Sequence, residues 1–476
     1  MLIIPDRFRW VFDTLHSSTP SSLSRILDEL PISLVHTYDR LLQEIPGEKQ
    51  QSAHRLFRCL VAAMRPLNVY ELAEIFAINF DSCPAPKYMV DQRSENPEEV
   101  ILSTCPSLVT ITRDEGFKIV QFFPLSVKEF LTSDRVQNSE VGSIRYFHIS
   151  PDAAHTILAQ ACLAVLLHLG QKIDKGRLAT SPLASYAARY WVDHAHFGDL
   201  ASQIQDAMEC LFNPREPYFA TWTRIYDVDS HWVGPSLQTH PELRVPSRPQ
   251  GTALYYAALC GFGGLVNYLV STHAEDVNAN CGLCATPLHA ATYMGHLDAA
   301  HVLINHGAKL NARNNLGGTP LSLVCHSGNL EVVRMLLESG ADADAANNEN
   351  QTPLHAASTN GHLEAMRMLL DHRASVDTRD NANQTPLYVA STNGHLKAVM
   401  LLLERGADAN TQTTFHSTPL HGASESGHLG VVEMLLMHGA DGDTRDGNGW
   451  TPLEVAKRNG HKEVAKLLSE HGVEED

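Results

Sequence analysis

The sequence predicts a mainly α-helical protein: a helical N-terminal half with one β-hairpin, followed by a solenoid of short helical repeats. Three observations carry this. A Thr-Pro-Leu hexad recurs every 33 residues in the C-terminal half. Apolar residues of the N-terminal half recur at helical spacing and are interrupted by a single pair of β-rich runs. The composition, 43% hydrophobic and 19% charged with a mean hydropathy of −0.17, is that of chains that bury a substantial core. A length of 476 residues leaves room for about two to four domains. The expected boundaries are a helical segment over 1–50, a domain carrying the hairpin over 51–140, a helical connector over 141–245 and seven repeats over 246–476.

Residues 6–45 read as helices interrupted at Pro20 and Pro31. Leu23, Ile26, Leu27 and Leu30, then Leu34, Tyr38, Leu41 and Leu42, form apolar faces that need covering. An amphipathic helix is expected from Ala53 to Met64, and a second from Val69 to Asn79 with Leu72, Ile75 and Phe76 inward. Residues 81–98, rich in prolines and charges, are expected to loop out. The run "SLVTIT", the turn "RDEG" and the run "FKIVQFF" then signal a hairpin, and "LSVKEFL" a further helix. Helix, helix, hairpin, helix is a winged-helix-like order. The apolar stretch from Ile157 to Leu167 is broken by Gln160 and falls short of the roughly 20 residues that span a bilayer, so no transmembrane helix is expected.

In the C-terminal half the hexads start at Thr286, Thr319, Thr352, Thr385, Thr418 and Thr451, with a degenerate copy at Thr252. Each Thr is placed to cap a helix, and the Pro after it suits the first helical position. Nine residues on stands a glycine (Gly261, Gly295, Gly328, Gly361, Gly394, Gly427, Gly460) that ends this helix, usually followed by His-Leu at the start of a second. Leu363, Met366, Leu369 and Leu370 give that second helix one apolar face. Gly307, Gly340, Gly406, Gly439 and Gly472 close the units, with Arg373 as the exception, and Asn350 and Asn383 take the turn position held elsewhere by Gly317 and Gly449. Such units cannot bury their apolar faces alone and must stack. The last has Glu454 in the usual His place and a lysine-rich helix pair, which suits a capping repeat; the first lacks the Pro and the Gly-His pair, so its free side is expected to be covered by the preceding domain. Together these features resemble the ankyrin repeat.

The segments "RFRWVFDTL", "LDELPISLVHTYDRLL", "LVAAMRPLNVYELAEIFAI", "CPSLVTI", "LSVKEFL", "FHISPDAAHTILAQACLAVLL", "PLASYAARYWVDHAHF" and "ATWTRIYDVD" resemble the region that follows the nucleotide-binding core in NACHT-type STAND proteins joined to ankyrin arrays, a kind common in filamentous fungi. The resemblance implies a regulatory role. Its nucleotide-binding core would precede residue 6, and no G-x-x-x-x-G-K-[ST] motif stands in the sequence, so ATPase activity is not carried over. Two readings follow: a non-enzymatic scaffold or recognition protein related to NACHT–ankyrin signalling receptors, or the C-terminal regulatory and sensor part of a STAND NTPase whose core lies outside this sequence.

The formal charge is −18, with −12 in residues 251–476, which points away from nucleic acid and towards protein partners, a basic one among them. DNA binding by the winged-helix-like region is disfavoured by the −6 balance of residues 1–250. Nine irregularly spaced cysteines fit reduced thiols and a cytoplasmic location. Twelve of the 26 histidines fall on repeat positions and are expected to be structural, and the resemblance to ankyrin packing implies that the imidazole of "TPLH" ties adjacent units by hydrogen bonds. Cys281 and Cys284 lack the further ligands a zinc site needs, and His194 and His196 belong to a helical segment, so no metal or cofactor is expected. No nucleophile signature suggests catalysis.

Residues that break the repeat pattern at finger tips and first helices are the candidate partner-binding set, because framework demands there are low. In ankyrin proteins the positions of Tyr293, Met294, Leu316, Asn348, Glu349, Thr359, Asn360, Asn393, Phe415, Trp450 and Arg458 face the partner. Phe415 and Trp450 stand beside turns where a polar residue would suffice, and aromatic residues are enriched among interface hot spots. Asp344, Glu349, Asp380, Asp408 and Asp446 are candidates for steering a basic partner.

Overall fold

A computed structural model of the protein describes residues 32–472 apart from 106, 115, 171–179, 199, 227–250 and 282–285. The helices expected before residue 32, with Leu23, Ile26, Leu27 and Leu30, lie outside the described residues, as does Cys284. The chain divides into two units, Met1–Pro249 and Gln250–Asp476.

Among the described residues of the first unit, α1 (Ile32–Gln43) comes first, with Tyr38 and Leu42 buried. Next comes α2 (Gly47–Ala62), which buries Ala53, Leu56, Phe57 and Cys59 on one face. Helix α3 (Val69–Phe76) is started by a capping box: Asn68 accepts from the Glu71 N–H and Glu71 accepts from the Asn68 N–H. Arg65 grips the same Glu71 carboxylate with two nitrogens, at 2.9 and 2.6 Å. A short antiparallel pair, β1 (Ile78–Asn79) with β2 (Lys87–Tyr88), and a 3₁₀ turn at Val90–Gln92 follow. Helix α4 (Pro97–Thr104) leads to the hairpin of β3 (Val109–Asp114) and β4 (Phe117–Phe122), paired from Val109–Phe122 to Asp114–Phe117. Asn68 bridges to Ile119, which adds a third short edge. Three helices with a hairpin and this extra edge make the winged-helix arrangement.

Residues 81–98 therefore do not simply loop out. Asn96 accepts from the Glu99 N–H, Pro97 sits in the first helical turn, and Glu98 and Glu99 lie at the positive end of the helix dipole. A proline read as a breaker is in fact a starter. The expected second helix also stops at Phe76, because Ile78 and Asn79 turn into β1.

Beyond the hairpin come α5 (Val127–Thr132), α6 (Asp134–Gln137), α7 (Gly142–Arg145) and the long α8 (Pro151–Leu169), then α9 (Ala184–Ala195), α10 (Leu200–Gln203), α11 (Gln205–Phe212) and α12 (Tyr218–Ile225). Capped by Ser150, α8 is buried on most of its circumference, from Ala154 and Leu158 to Leu166 and Leu169, and packs on α2, α9, α11 and α12. Its 19 residues are long and apolar enough to cross a membrane by length and composition, contrary to the sequence expectation, yet the helix forms the centre of this unit. Trp191, Phe212 and Trp222 cluster beside it, with Trp191 and Trp222 centroids 5.3 Å apart and the Trp222 indole N–H on the Ala188 carbonyl.

The second unit is the expected stack of helix pairs. First helices run over Ala253–Leu259, Pro287–Met294, Pro320–Ser327, Pro353–Asn360, Pro386–Thr392, Pro419–Ser426 and Pro452–Arg458; second helices over Gly263–His273, Leu297–Asn305, Leu330–Glu338, Leu363–Asp371, Leu396–Glu404, Leu429–Met437 and Lys462–Glu470. The threonines cap as expected: Thr418, for example, accepts from the His421 N–H. The two glycine series differ in what holds them. A Cβ at Gly361 would lie 2.7 Å from the His395 ring of the next unit, and Gly328, Gly394 and Gly427 face the same obstacle. Around Gly340 there is open space, so only the left-handed φ of 93° asks for glycine there. That is why Arg373 is tolerated at the equivalent place, at φ 67°.

Two histidine ladders stitch the stack. Nε2 of His289, His355 and His421 reaches forward to the carbonyls of Gly318, Gln384 and Trp450, at 3.0–3.1 Å. Nε2 of His362, His395, His428 and His461 reaches back to His326, Thr359, Thr392 and Glu425, at 2.9–3.1 Å. The tautomer of the forward ladder is fixed: Nδ1 of His355 and of His421 accepts from a backbone N–H, of Thr352 and Thr418, so Nε2 carries the proton.

Candidate partner-binding cleft

The finger between successive helix pairs is built by one polar side chain that accepts two backbone N–H groups. Asn314 serves Leu316 and Gly318; Asp380 serves Ala382 and Gln384; Thr413 serves Phe415 and Ser417; Asp446 serves Asn448 and Trp450. The residue completing each turn is left-handed: Gly317, Asn350, Asn383, His416 and Gly449. His416, at φ 56°, is the costly one. Fingers are tied tip to tip, by Thr414 N–H on the Ala382 carbonyl and by Gly447 N–H on the Phe415 carbonyl. A Cβ at Gly447 would stand 3.0 Å from that carbonyl oxygen, so the approach needs glycine.

This framework brings three of the candidate residues together. Phe415, Trp450 and Arg458 line one cleft of about 350 Å³ that runs over the last three units. Phe415 is 75% exposed at its finger tip. Trp450 is half-buried, with its N–H held by Asp446, its carbonyl by His421, and its ring 3.6 Å below the Arg458 guanidinium. Tyr388 and Glu425 complete the walls from the neighbouring first helices. Burial holds the His421 imidazole below its usual pKa, so it is a neutral framework donor.

The signal for Tyr388, which sequence reasoning missed, was its place: it stands where "TPLH" units carry the ladder histidine. Gly422 makes room beside it, since a Cβ there would meet Thr392 Oγ1 at 2.3 Å and the Tyr388 ring at 3.5 Å.

The other candidates are not gathered into this cleft. Asn348 bonds the Leu316 and Asn315 carbonyls, and Asn360 bonds the His326 carbonyl, so both stitch neighbouring units. Thr359 and Asn393 bond their own helices at His355 and Val389. Leu316 is 55% exposed at an earlier finger tip, Glu349 is exposed, and Tyr293 and Met294 are half-buried at the end of the Pro287–Met294 helix. The acidic candidates are mostly spoken for: Asp344 accepts from Ser375 N–H, Asp408 from Asn410 N–H, and Asp380 and Asp446 hold finger turns.

In the first unit, Tyr186 accepts from Met64 N–H, which directs its hydroxyl to His194 Nε2 at 2.9 Å, and His194 Nδ1 then pairs with His155 Nδ1 at 2.9 Å. Burial lowers the His194 pKa to about 3, so this is a neutral chain of hydrogen bonds in the core. Among the described residues no three His, Cys, Asp or Glu side chains form a metal-binding group.

Comparison with known proteins fits this architecture. The winged helix domain of GPI inositol-deacylase matches residues 38–142. A curated relative, azaphilone pigments biosynthesis cluster protein L of Monascus ruber, is 28% identical over 300 residues, 60% of this chain; the match spans 61% of that protein's own length. The family model for ankyrin repeats matches 237–314, 254–347, 321–413 and 387–476, together half of the chain. With the 33-residue period, the two histidine ladders and this match in agreement, the chain belongs to the ankyrin-repeat family.

Proposed function

We propose that the protein is a non-enzymatic, cytoplasmic recognition protein that binds a protein partner in the cleft of its last three repeats, with Phe415 and Trp450 as anchors and Tyr388 and Arg458 as walls. One observation carries this reading. A large aromatic side chain, 75% exposed, is presented by a finger whose left-handed His416 stands where the other described fingers use Gly or Asn, at the edge of a preformed cleft that it lines. Framework needs explain neither residue, and local strain of this kind tends to persist at functional sites. Pinning of Trp450 by Arg458 pre-organises the second anchor, which lowers the cost of ordering it on binding.

The test is affinity capture from a native extract by the full chain and by a Phe415→Ser, Trp450→Ala, Arg458→Ala variant, with Leu316→Ser as control. Loss of a partner by at least tenfold in the triple variant alone, with unchanged circular dichroism, supports the cleft. Equal capture by all three chains overturns it.

The winged-helix domain supports the same class of function. The helix preceding its hairpin, where DNA-reading members place basic residues, carries Glu98 and Glu99 and no Lys or Arg, and Lys118 of the hairpin is paired with Glu98. A finer reading rests on the resemblance to NACHT–ankyrin receptors and on the order winged helix, helical connector, ankyrin array: the chain acts as the regulatory and sensor end of a nucleotide-switched receptor. The intact mass of the native protein tests it. A mass near 52.4 kDa, with no stably bound NTPase, sinks this finer reading; a larger chain carrying a P-loop supports it.

A further inference from the structure

The first unit contains an open cleft of about 950 Å³ that none of the functions above uses. Helix α2 turns its polar face into it, with His54, Arg55 and Arg58 at helical spacing; Arg145 of α7 and His148 come from across. Phe80, Tyr146 and Ile157 supply apolar wall, and the first turn of the 19-residue α8 brings the positive end of a helix dipole.

Three guanidinium groups share this space, and none of them has an ion-paired carboxylate among the described residues. Arg58 Nε and His54 Nε2 are buried and have no hydrogen-bond partner among the described residues. Arg55 lies over the Phe80 ring at 4.6 Å, and the carboxylate that acts on it among the described residues is Asp81. The second carboxylate in the lining, Asp152, lies against Gly198. Burial pulls the Arg55 and Arg58 pKa values down, so holding these cations here is costly without an anion.

We propose that this cleft binds a small organic phosphate, its phosphoryl oxygens taken by Arg55, Arg58 and Arg145 and its organic part lying against Phe80 and Tyr146. Guanidinium forks match phosphate oxygens in pairs, which a point charge cannot do. The volume lies within the range of small-molecule pockets, and the apolar wall beside the arginines favours an organic ester over the bare ion.

The test titrates the full chain with phenyl phosphate, orthophosphate and a phosphoserine peptide by calorimetry at matched ionic strength, with sulfate as control. The expected result is one saturable site for phenyl phosphate, at least tenfold tighter than for orthophosphate or sulfate. Arg145 is exposed, so Arg145→Gln leaves the fold intact and is expected to weaken binding at least threefold; Arg58→Gln with Arg145→Gln should abolish it, while Arg113→Gln on the hairpin changes nothing. If the double variant does not fold by circular dichroism, Arg145→Gln alone decides. Absence of a saturable site, equal affinity for phenyl phosphate and orthophosphate, tighter binding of the peptide, or an Arg145→Gln chain that binds like wild type would each overturn the proposal.

Discussion

The two units solve the burial of polar groups in opposite ways. In the first, a few unique polar side chains tie together segments far apart in sequence: Glu74 accepts from the Leu183 N–H at 2.8 Å, from the Tyr88 hydroxyl at 3.0 Å and from Arg93, and Met64 is tied to Tyr186. In the second, the same small set of bonds repeats between neighbours, the forward histidine always 29 residues from its acceptor and the backward one 36. Damage should therefore spread through the whole of the first unit and stay local in the second. A solenoid's stability is roughly a sum of unit and interface terms, whereas a single core is lost as a whole.

The largest expected effect breaks the first core. Trp191→Ala removes a fully buried indole packed on Phe212 and Trp222, at a cost of about 3–5 kcal/mol. Leu369→Ala in the array is expected to cost about 2–5 kcal/mol but to weaken mainly its own and adjacent units. Hydrogen exchange separates the two: global loss of protection across residues 47–225 in the first variant, loss confined to neighbouring repeats in the second. Loss of protection across all repeats with Leu369→Ala would break the comparison.

Glu74→Ala comes next. It leaves the Leu183 N–H and the part-exposed Arg93 without their partner, and leaving a buried donor unsatisfied costs about 1–3 kcal/mol. A denaturant midpoint unchanged from wild type would show that these ties across the first unit are dispensable.

The ladders sharpen the comparison through pH. Burial lowers the pKa of His289 to about 4 and pulls those of His355 and His421 down as well. Above about pH 6.5 these histidines are neutral both folded and unfolded and contribute no slope; below it the unfolded chain takes up protons that the folded array refuses. Array stability should fall as the pH drops from about 6.5 to 4, each such histidine contributing at most roughly 1.4 kcal/mol of loss per pH unit crossed. Thermal melts at pH 7 and 5 of wild type and of His289→Asn with His355→Asn check this: the variant should lose less between the two pH values than wild type.

Smaller still are the backbone effects. Gly340→Ala is expected to cost about 1 kcal/mol, from the left-handed conformation alone. Gly361→Ala, which adds a clash with the His395 ring, should cost more. Arg373→Gly, and His416→Gly beside the cleft, should each stabilise the array by roughly 0.5–1 kcal/mol. Equal costs at Gly340 and Gly361 would show that the histidine ring yields easily. Urea midpoints resolve each of these shifts.

The sequence by itself determined the array. Its contacts lie at most about one repeat apart, so a 33-residue period spells out both partners of each bond, and Thr caps, proline starts and left-handed turns at Asn350 and Asn383 were all legible. Helix α4 was also written locally, in Asn96, Pro97 and Glu99, but the surrounding prolines masked it. Only the tertiary structure decided which variable positions act together. Asn348 and Asn360 look like Phe415 and Trp450 in a repeat alignment, yet they are stitches, because their partners lie on a neighbouring unit that an alignment column does not show. Tyr388, Phe415, Trp450 and Arg458 share a cleft because three stacked units bring them side by side. Arg58 and Arg145, 87 positions apart with no period between them, meet only because α2 and α7 fold around one open cleft, and spacing along a chain carries no record of such a meeting.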